Sequence, residues 1–212
     1  MLEKINQTAD FLRGRVNGEL PTIGIILGSG LGNLVDHITD KEVIPYKEIP
    51  NMPVSTVAGH SGNLIFGTLN GRRVLAMQGR FHYYEGYDMK SVTFPVRVMH
   101  ALGIDTLFVS NAARKGIRIM HGVYVGTTGP TFETPAEYEY FRVIGGDAVG
   151  MSTVPEVIVA RHMDMRVFGV SVITDLGGKD ITEVPSHEEV TKAAENAQPT
   201  MLAVIKDLVA EC

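Results

Sequence analysis

Short apolar runs rich in β-branched residues alternate along this chain with stretches of helical spacing. Thr22–Leu27 (TIGIIL), Asn63–Leu69, Val74–Gln78 and Thr106–Ser110 read as strands, as do Gly122–Thr128, Asp147–Met151 and Arg166–Thr174. Runs this short, bounded by glycine and polar clusters, fit strands better than helices. Helical spacing appears around Ser91–Leu102, Pro135–Ile144 and Val154–Met163. At the N-terminus Ile5, Ala9, Leu12 and Val16 share one helical face; at the C-terminus Val190, Ala194, Ala197, Met201, Val204 and Leu208 share another. The alternation predicts an α/β fold: a single domain with a central mixed, largely buried β-sheet flanked by helices. No internal repeat, low-complexity tract or linker divides residues 1–212.

Three predicted helix starts carry the capping-box pattern: Thr134 with Glu137, Thr153 with Glu156 and Ser186 with Glu189. Each adjoins polar or unusual residues (FET, GMST, PSH). Open α/β sheets bind ligands outside the carboxyl ends of their strands, where helices begin. The three starts are therefore candidate walls of one site.

Composition narrows the chemistry. The formal net charge is −5, and no run of lysine or arginine occurs. A nucleic-acid partner needs a clustered basic face, whereas a small anionic substrate needs only one or two well-placed cations. Cys212 is the only cysteine, which excludes a disulfide framework and a zinc–cysteine site. No H-x-x-x-H or His/Asp/Glu cluster has metal-ligand spacing, so no metal is expected. The N-terminal stretch lacks the continuous apolar run of a signal peptide, and no run approaches the roughly 20 residues of a membrane span. A soluble, cytoplasmic protein is expected.

The candidate chemistry sits in loops. LGSGLG (Leu27–Gly32) follows the first strand, where its glycines allow either a plain turn or an anion site containing Ser29. Its spacing is neither a dinucleotide fingerprint nor a P-loop. GRFHYYEGY (Gly79–Tyr87) crowds an arginine, a histidine, three tyrosines and a glutamate into nine residues. In an extended segment Arg80 and His82 leave on the same side, and a guanidinium beside an imidazole can grip phosphate oxygens. SNAA (Ser110–Ala113) ends a strand with small residues that allow close backbone approach or simply mark a loop. Phe132 and Glu133 precede a capped helix; the pair suits a planar heterocycle, or the glutamate is only a helix-start acid favoured by the macrodipole. Met151 and Ser152 are offered to the site, their plain reading being core packing plus a cap. Asp175 ends a strand as a ligand or a turn former, and His187 at a helix start is disfavoured from protonation.

LGSGLG, AGHSG, GRFHYYEGY, SNAA, GPTFETPAE, GMSTVPEVIVARH and SHEEV occur in the order found in trimeric purine nucleoside phosphorylases, and the resemblance spans nearly the whole chain. It implies phosphate-dependent cleavage of the N-glycosidic bond of purine (deoxy)ribonucleosides, giving free base and (deoxy)ribose 1-phosphate in purine salvage. Inorganic phosphate is then a co-substrate, and no metal or organic cofactor takes part. Carried onto this sequence, Ser29, His60, Arg80, His82, Ser152 and the backbone of Ala112 bind phosphate. Tyr84 and Met151 line the ribose, and His187 meets its 5′-hydroxyl. Phe132 packs on the purine, Glu133 takes its N1–H edge, and Asp175 meets N7 and the 6-substituent. His82, Glu133 and Asp175 are the implied catalytic groups.

Two departures from the family pattern stand out. Many members carry asparagine where this chain has Asp175, which leaves the preference between 6-oxo and 6-amino purines open. After VSNAA, members continue through a further strand and a long loop, whereas this chain passes at once into RKGIRIMHG; a family segment between Ala113 and Gly122 is expected to be lacking. In the family that segment contributes contacts of the homotrimer. The alternatives are a methylthioadenosine phosphorylase, which Glu133 and His187 argue against, and an inactive purine- or phosphate-binding remnant. A nucleoside hydrolase would not need Arg80 and His82 arranged for phosphate.

Overall fold

The alternation of apolar positions in the strands is realised as a sheet with a core on each face. The computed structural model describes residues 1–28, 32–54, 61–109, 121–178 and 187–212, and for residues 187, 188, 190 and 191 the backbone. Its strands and helices run α1 (Leu2–Arg15), β1 (Ile23–Leu27), β2 (Thr39–Pro45), β3 (Asn63–Leu69), β4 (Arg72–Gln78), α2 (Met89–Val92), α3 (Phe94–Ala101) and β5 (Thr106–Val109). They continue as β6 (Tyr124–Gly126), α4 (Pro135–Val143), β7 (Ala148–Gly150), α5 (Val154–His162), β8 (Arg166–Gly169) and α6 (His187–Glu211).

Six strands form one mixed sheet in the order β2-β3-β4-β1-β5-β8. β2, β3 and β4 are joined antiparallel, while β4, β1, β5 and β8 run parallel. Side chains alternate across it. Ile26, Leu64, Phe66, Leu75, Met77 and Leu107 face a core shared with Ile5 and Leu12 of α1, Met99 of α3 and Ala160 of α5. Ile25, Leu27, Ile65, Val74, Ala76 and Phe108 face the other core, closed by Met201, Ile205 and Val209 of α6. The predicted terminal helices thus cover opposite faces of the sheet. Val190, one residue of the predicted C-terminal stripe, has a side chain outside the described set.

Several boundaries differ from the sequence reading. β2 was not expected: its TDKEV segment is charged and mostly exposed, as suits an edge strand, and Ile44 alone is buried. The helix expected over Ser91–Leu102 is two pieces, α2 and α3, with Pro95 in the first turn of α3. The strands expected at Gly122–Thr128 and Asp147–Met151 shorten to three residues each and pair parallel in a second, separate sheet. The run expected through Thr174 leaves the main sheet after Gly169. Its apolar residues line a cavity instead of extending β8.

No residue of α4 is buried, and its outer side exposes Tyr140 by 60%, Val143 by 73% and the adjoining Ile144 by 57%. Among the described residues no helix is long and apolar enough to cross a membrane.

Candidate active site

The carboxyl ends of the parallel strands converge on a cavity of about 760 Å³. Gly28 reaches it from β1; Arg80, His82 and Tyr84 from the loop after β4; Phe132 and Glu133 from beyond β6; Met151 and Ser152 from β7; Asp175 from beyond β8. Its volume lies in the range of small-molecule sites.

Packing sets the aim of the loop after β4. Phe81 is buried, with its ring 5.2 Å from that of Tyr46 and 5.9 Å from that of Tyr87. The Tyr46 hydroxyl donates to the Gly79 carbonyl at 2.6 Å, and burial pushes its ionisation far above the ordinary tyrosine range. With Phe81 anchored in the core, its neighbours Arg80 and His82 both turn to the cavity, as the two-residue spacing predicts. The His82 ring stacks on Tyr84, centroids 4.7 Å apart and planes 16° from parallel. Glu85 Oε1 accepts from the His82 backbone N–H at 2.8 Å and lies 2.9 Å from its Nδ1, which fixes the ring from behind.

Arg80 is buried and so is its partner: Nη1 lies 3.9 Å from Glu156 Oε1, both side chains 4% exposed. The same Nη1 donates to Thr153 Oγ1 at 3.3 Å. This corrects the capping box expected at Thr153 and Glu156. Thr153 has φ +75°, rare for a β-branched residue, and makes no capping bond with its side chain. Its hydroxyl and the glutamate serve Arg80 instead. Burial raises the Tyr124 hydroxyl's ionisation, while Arg80 and a hydrogen bond with Thr153 act the other way; Tyr124 therefore belongs to the same cluster. The box at Thr134 and Glu137 forms as read, with both reciprocal bonds present.

Carboxylates gather elsewhere on the wall. Glu133 Oε1 accepts from the Thr127 hydroxyl at 2.8 Å and Oε2 from the Tyr138 hydroxyl at 3.5 Å. It is thus more than a helix-start acid, since hydroxyls from two other positions hold it. Asp175 accepts from the Thr174 hydroxyl at 2.6 Å. Burial, Glu133 and Asp175 together raise the ionisation of Tyr138, which places that ring near both carboxylates. Space for the ring depends on Gly177, where any Cβ would strike it. The site therefore joins a cationic group, Arg80, to a pair of hydrogen-bond acceptors, Glu133 and Asp175, across one cavity.

Of the residues singled out in the sequence, Arg80, His82, Tyr84, Phe132, Glu133, Met151, Ser152 and Asp175 all line this cavity. Ser29, His60, Ala112 and the third capping residue, Ser186, lie outside the described residues. His187 is the first residue of α6, as expected, with only its backbone described. Sequence reasoning missed the site roles of Tyr124, Thr127, Tyr138, Glu85 and Glu156. Glu85 stood inside the conspicuous loop and three residues from His82, a spacing that could have flagged it; the others carry no local signal. Among the described residues no group of three or more His, Cys, Asp or Glu could hold a metal ion.

Comparison with known proteins identifies the arrangement. The sequence profile of the phosphorylase superfamily matches residues 22–113 and 108–210, in two stretches that meet at SNAA. The chain is 42% identical over 264 positions to purine nucleoside phosphorylase 1 of Geobacillus stearothermophilus, covering 97% of this chain and 96% of that one. Those 264 positions exceed the 212 residues of the chain, so at least 52 of them face no residue here. Among solved structures, the Schistosoma purine nucleoside phosphorylase in complex with hypoxanthine superposes with a TM-score of 0.89 at 34% identity, covering 99% of this chain and 97% of that chain. The Schistosoma mansoni enzyme in complex with inosine gives the same TM-score and identity, covering 100% of this chain and 97% of that chain.

Proposed function

The chain belongs to the phosphorylase superfamily and, within it, to the purine nucleoside phosphorylases, and from that premise we propose that it cleaves purine (deoxy)ribonucleosides with inorganic phosphate. The products are the free base and (deoxy)ribose 1-phosphate, and the enzyme is a cytoplasmic pentosyltransferase using no metal or organic cofactor. One observation carries the reading: Arg80 and His82, together with Glu133 and Asp175, line the same cavity. An anion and a purine edge need those two kinds of group.

In the reaction the bond from the anomeric carbon to N9 breaks and a bond from that carbon to a phosphate oxygen forms. The bonding pair leaves with the base, which takes up a proton at N7, balanced by the proton that hydrogen phosphate gives up in becoming the ester. Charge therefore separates in the transition state, positive on the sugar and negative on the purine, and fixed groups stabilise it without reorganising. Arg80 supplies a planar fork of donors for phosphate oxygens, with His82 and Ser152 beside it. Ser29, His60 and the Ala112 backbone complete the phosphate site in this reading. Tyr84, Met151 and His187 face the ribose, Phe132 covers the purine, and Glu133 accepts from its N–H edge. Asp175 meets N7 and the 6-substituent.

The fate of the phosphate tests this directly. Phosphorus NMR of a reaction with inosine is expected to show inorganic phosphate converted to a sugar 1-phosphate in step with hypoxanthine. Hypoxanthine with no new phosphate ester would make the protein a hydrolase. Asp175→Asn is expected to shift the ratio of inosine to adenosine turnover, because an aspartate and an asparagine offer different donors to a 6-oxo and a 6-amino group. An identical ratio in the two proteins would remove Asp175 from the base site.

The reading also holds that this chain lacks the family segment between Ala113 and Gly122. The surplus positions in the relative and the division of the profile match at SNAA support it. A homotrimer is the assembly this family reading carries where the segment is present, and sedimentation of the 212-residue chain separates trimer from monomer.

A further inference from the structure

The carboxylate read as the purine-facing group is itself held by two hydroxyls that the reaction does not use. We propose that Thr127, assisted by Tyr138, is a positioning residue that fixes the plane of the Glu133 carboxylate for recognition of the base. The inference rests on the proposed phosphorolysis and on Glu133 meeting the base.

A carboxylate on a flexible stem has no preferred plane of its own, because its last torsion is broad. Glu133 is clamped at both oxygens: Thr127 donates to Oε1 at 2.8 Å and Tyr138 to Oε2 at 3.5 Å. A hydroxyl carries a single proton to donate, so both donors are committed to the same group and both require it to accept. The donors come from different places. Thr127 follows β6, and its backbone N–H donates to the Gly150 carbonyl at 2.9 Å, which ties it to the β6–β7 sheet. Tyr138 sits in the first turns of α4, its backbone N–H donating to the Thr134 carbonyl at 3.0 Å. Two independently anchored elements thus define one carboxylate plane.

The positions also separate the roles. Glu133 and Tyr138 line the cavity, whereas Thr127 is not part of its lining. Thr127 therefore acts on a bound base through Glu133. A carboxylate with one lone pair on each oxygen already engaged keeps the others for N–H donors, so the clamp favours a purine whose edge donates over one whose ring nitrogen accepts.

The test is steady-state kinetics of Thr127→Val, which keeps the shape and removes the hydroxyl. A lost hydrogen bond to a charged group predicts a rise of about tenfold in the KM for inosine. The KM for phosphate is expected to stay within about twofold, since Arg80 and His82 are held by other partners. Thr127→Ser should restore nucleoside binding, and Tyr138→Phe should raise the inosine KM by only about two- to threefold, as its longer bond implies. In a Glu133→Ala background Thr127→Val should have no further effect. An unchanged inosine KM, or equal rises for inosine and phosphate, would overturn the proposal. If the valine variant does not fold, the serine and phenylalanine variants carry the test through calorimetric binding of hypoxanthine. If the parent protein binds hypoxanthine without turnover, phosphorolysis fails while the clamp is still tested by binding. If it binds no hypoxanthine, both readings fall.

Discussion

Glu133→Ala is expected to lower kcat/KM for inosine by about a hundred- to a thousandfold, the range seen when a fixed polar group at a reacting centre is removed. On the proposed reading the variant loses the acceptor for the purine edge. It also leaves the Thr127 and Tyr138 hydroxyls, which now donate to that carboxylate, without their acceptor at the cavity wall. The base would then enter with no fixed orientation, and the loss should fall on kcat as well as KM because orientation matters most as charge develops on the leaving group. The KM for phosphate should hardly move. Steady-state kinetics with each substrate varied in turn checks this. An unchanged kcat/KM for inosine would remove Glu133 from the base site.

Arg80→Ala is expected to abolish phosphate use and to destabilise the fold at the same time. Arg80 and Glu156 face each other with both side chains 4% exposed, and Glu156 Oε2 has no hydrogen-bond partner among the described residues. Removing the arginine strands a buried carboxylate, a change that costs about 3–5 kcal/mol. Denaturant unfolding reads that loss. Arg80→Met combined with Glu156→Leu should recover most of the stability, because an apolar pair of similar volume replaces the ion pair. It should recover none of the phosphate-dependent activity. Arg80→Lys keeps the charge but loses the planar fork, so its phosphate KM should rise while the nucleoside KM holds. Were Arg80→Ala as stable as the parent, the buried pair would have no structural weight; were its phosphate KM unchanged, the anion would bind elsewhere.

Legibility in the sequence followed local pattern. β1, β4 and β5 are continuous apolar runs because both of their faces are covered, and such runs announce themselves. The terminal helices could be read because each lays one apolar stripe on one face of the sheet. β2 was invisible for the opposite reason: an exposed edge strand is mostly charged, and Ile44 alone marks it. The run after Gly169 was overread as strand because apolar residues that line a cavity look the same in sequence as apolar residues in a sheet.

The site divides in the same way. Arg80, His82 and Glu133 stood out by residue type and by their glycine- or cap-bounded loops. The residues that hold them did not. Thr153 and Glu156 present a helix-start pattern at the right spacing, and only the fold turns both toward Arg80. Thr127, Tyr124 and Tyr138 are ordinary residues for a strand end, a strand and a helix. Their roles arise from contacts between elements that no spacing encodes.

The central claim is that the cavity joins phosphate to the sugar of a purine nucleoside. It is tested most directly by hypoxanthine release from inosine by this chain, measured with and without inorganic phosphate. The account predicts release that depends on phosphate and saturates with it. Release at the same rate without phosphate, or none from folded protein that binds hypoxanthine, would contradict it.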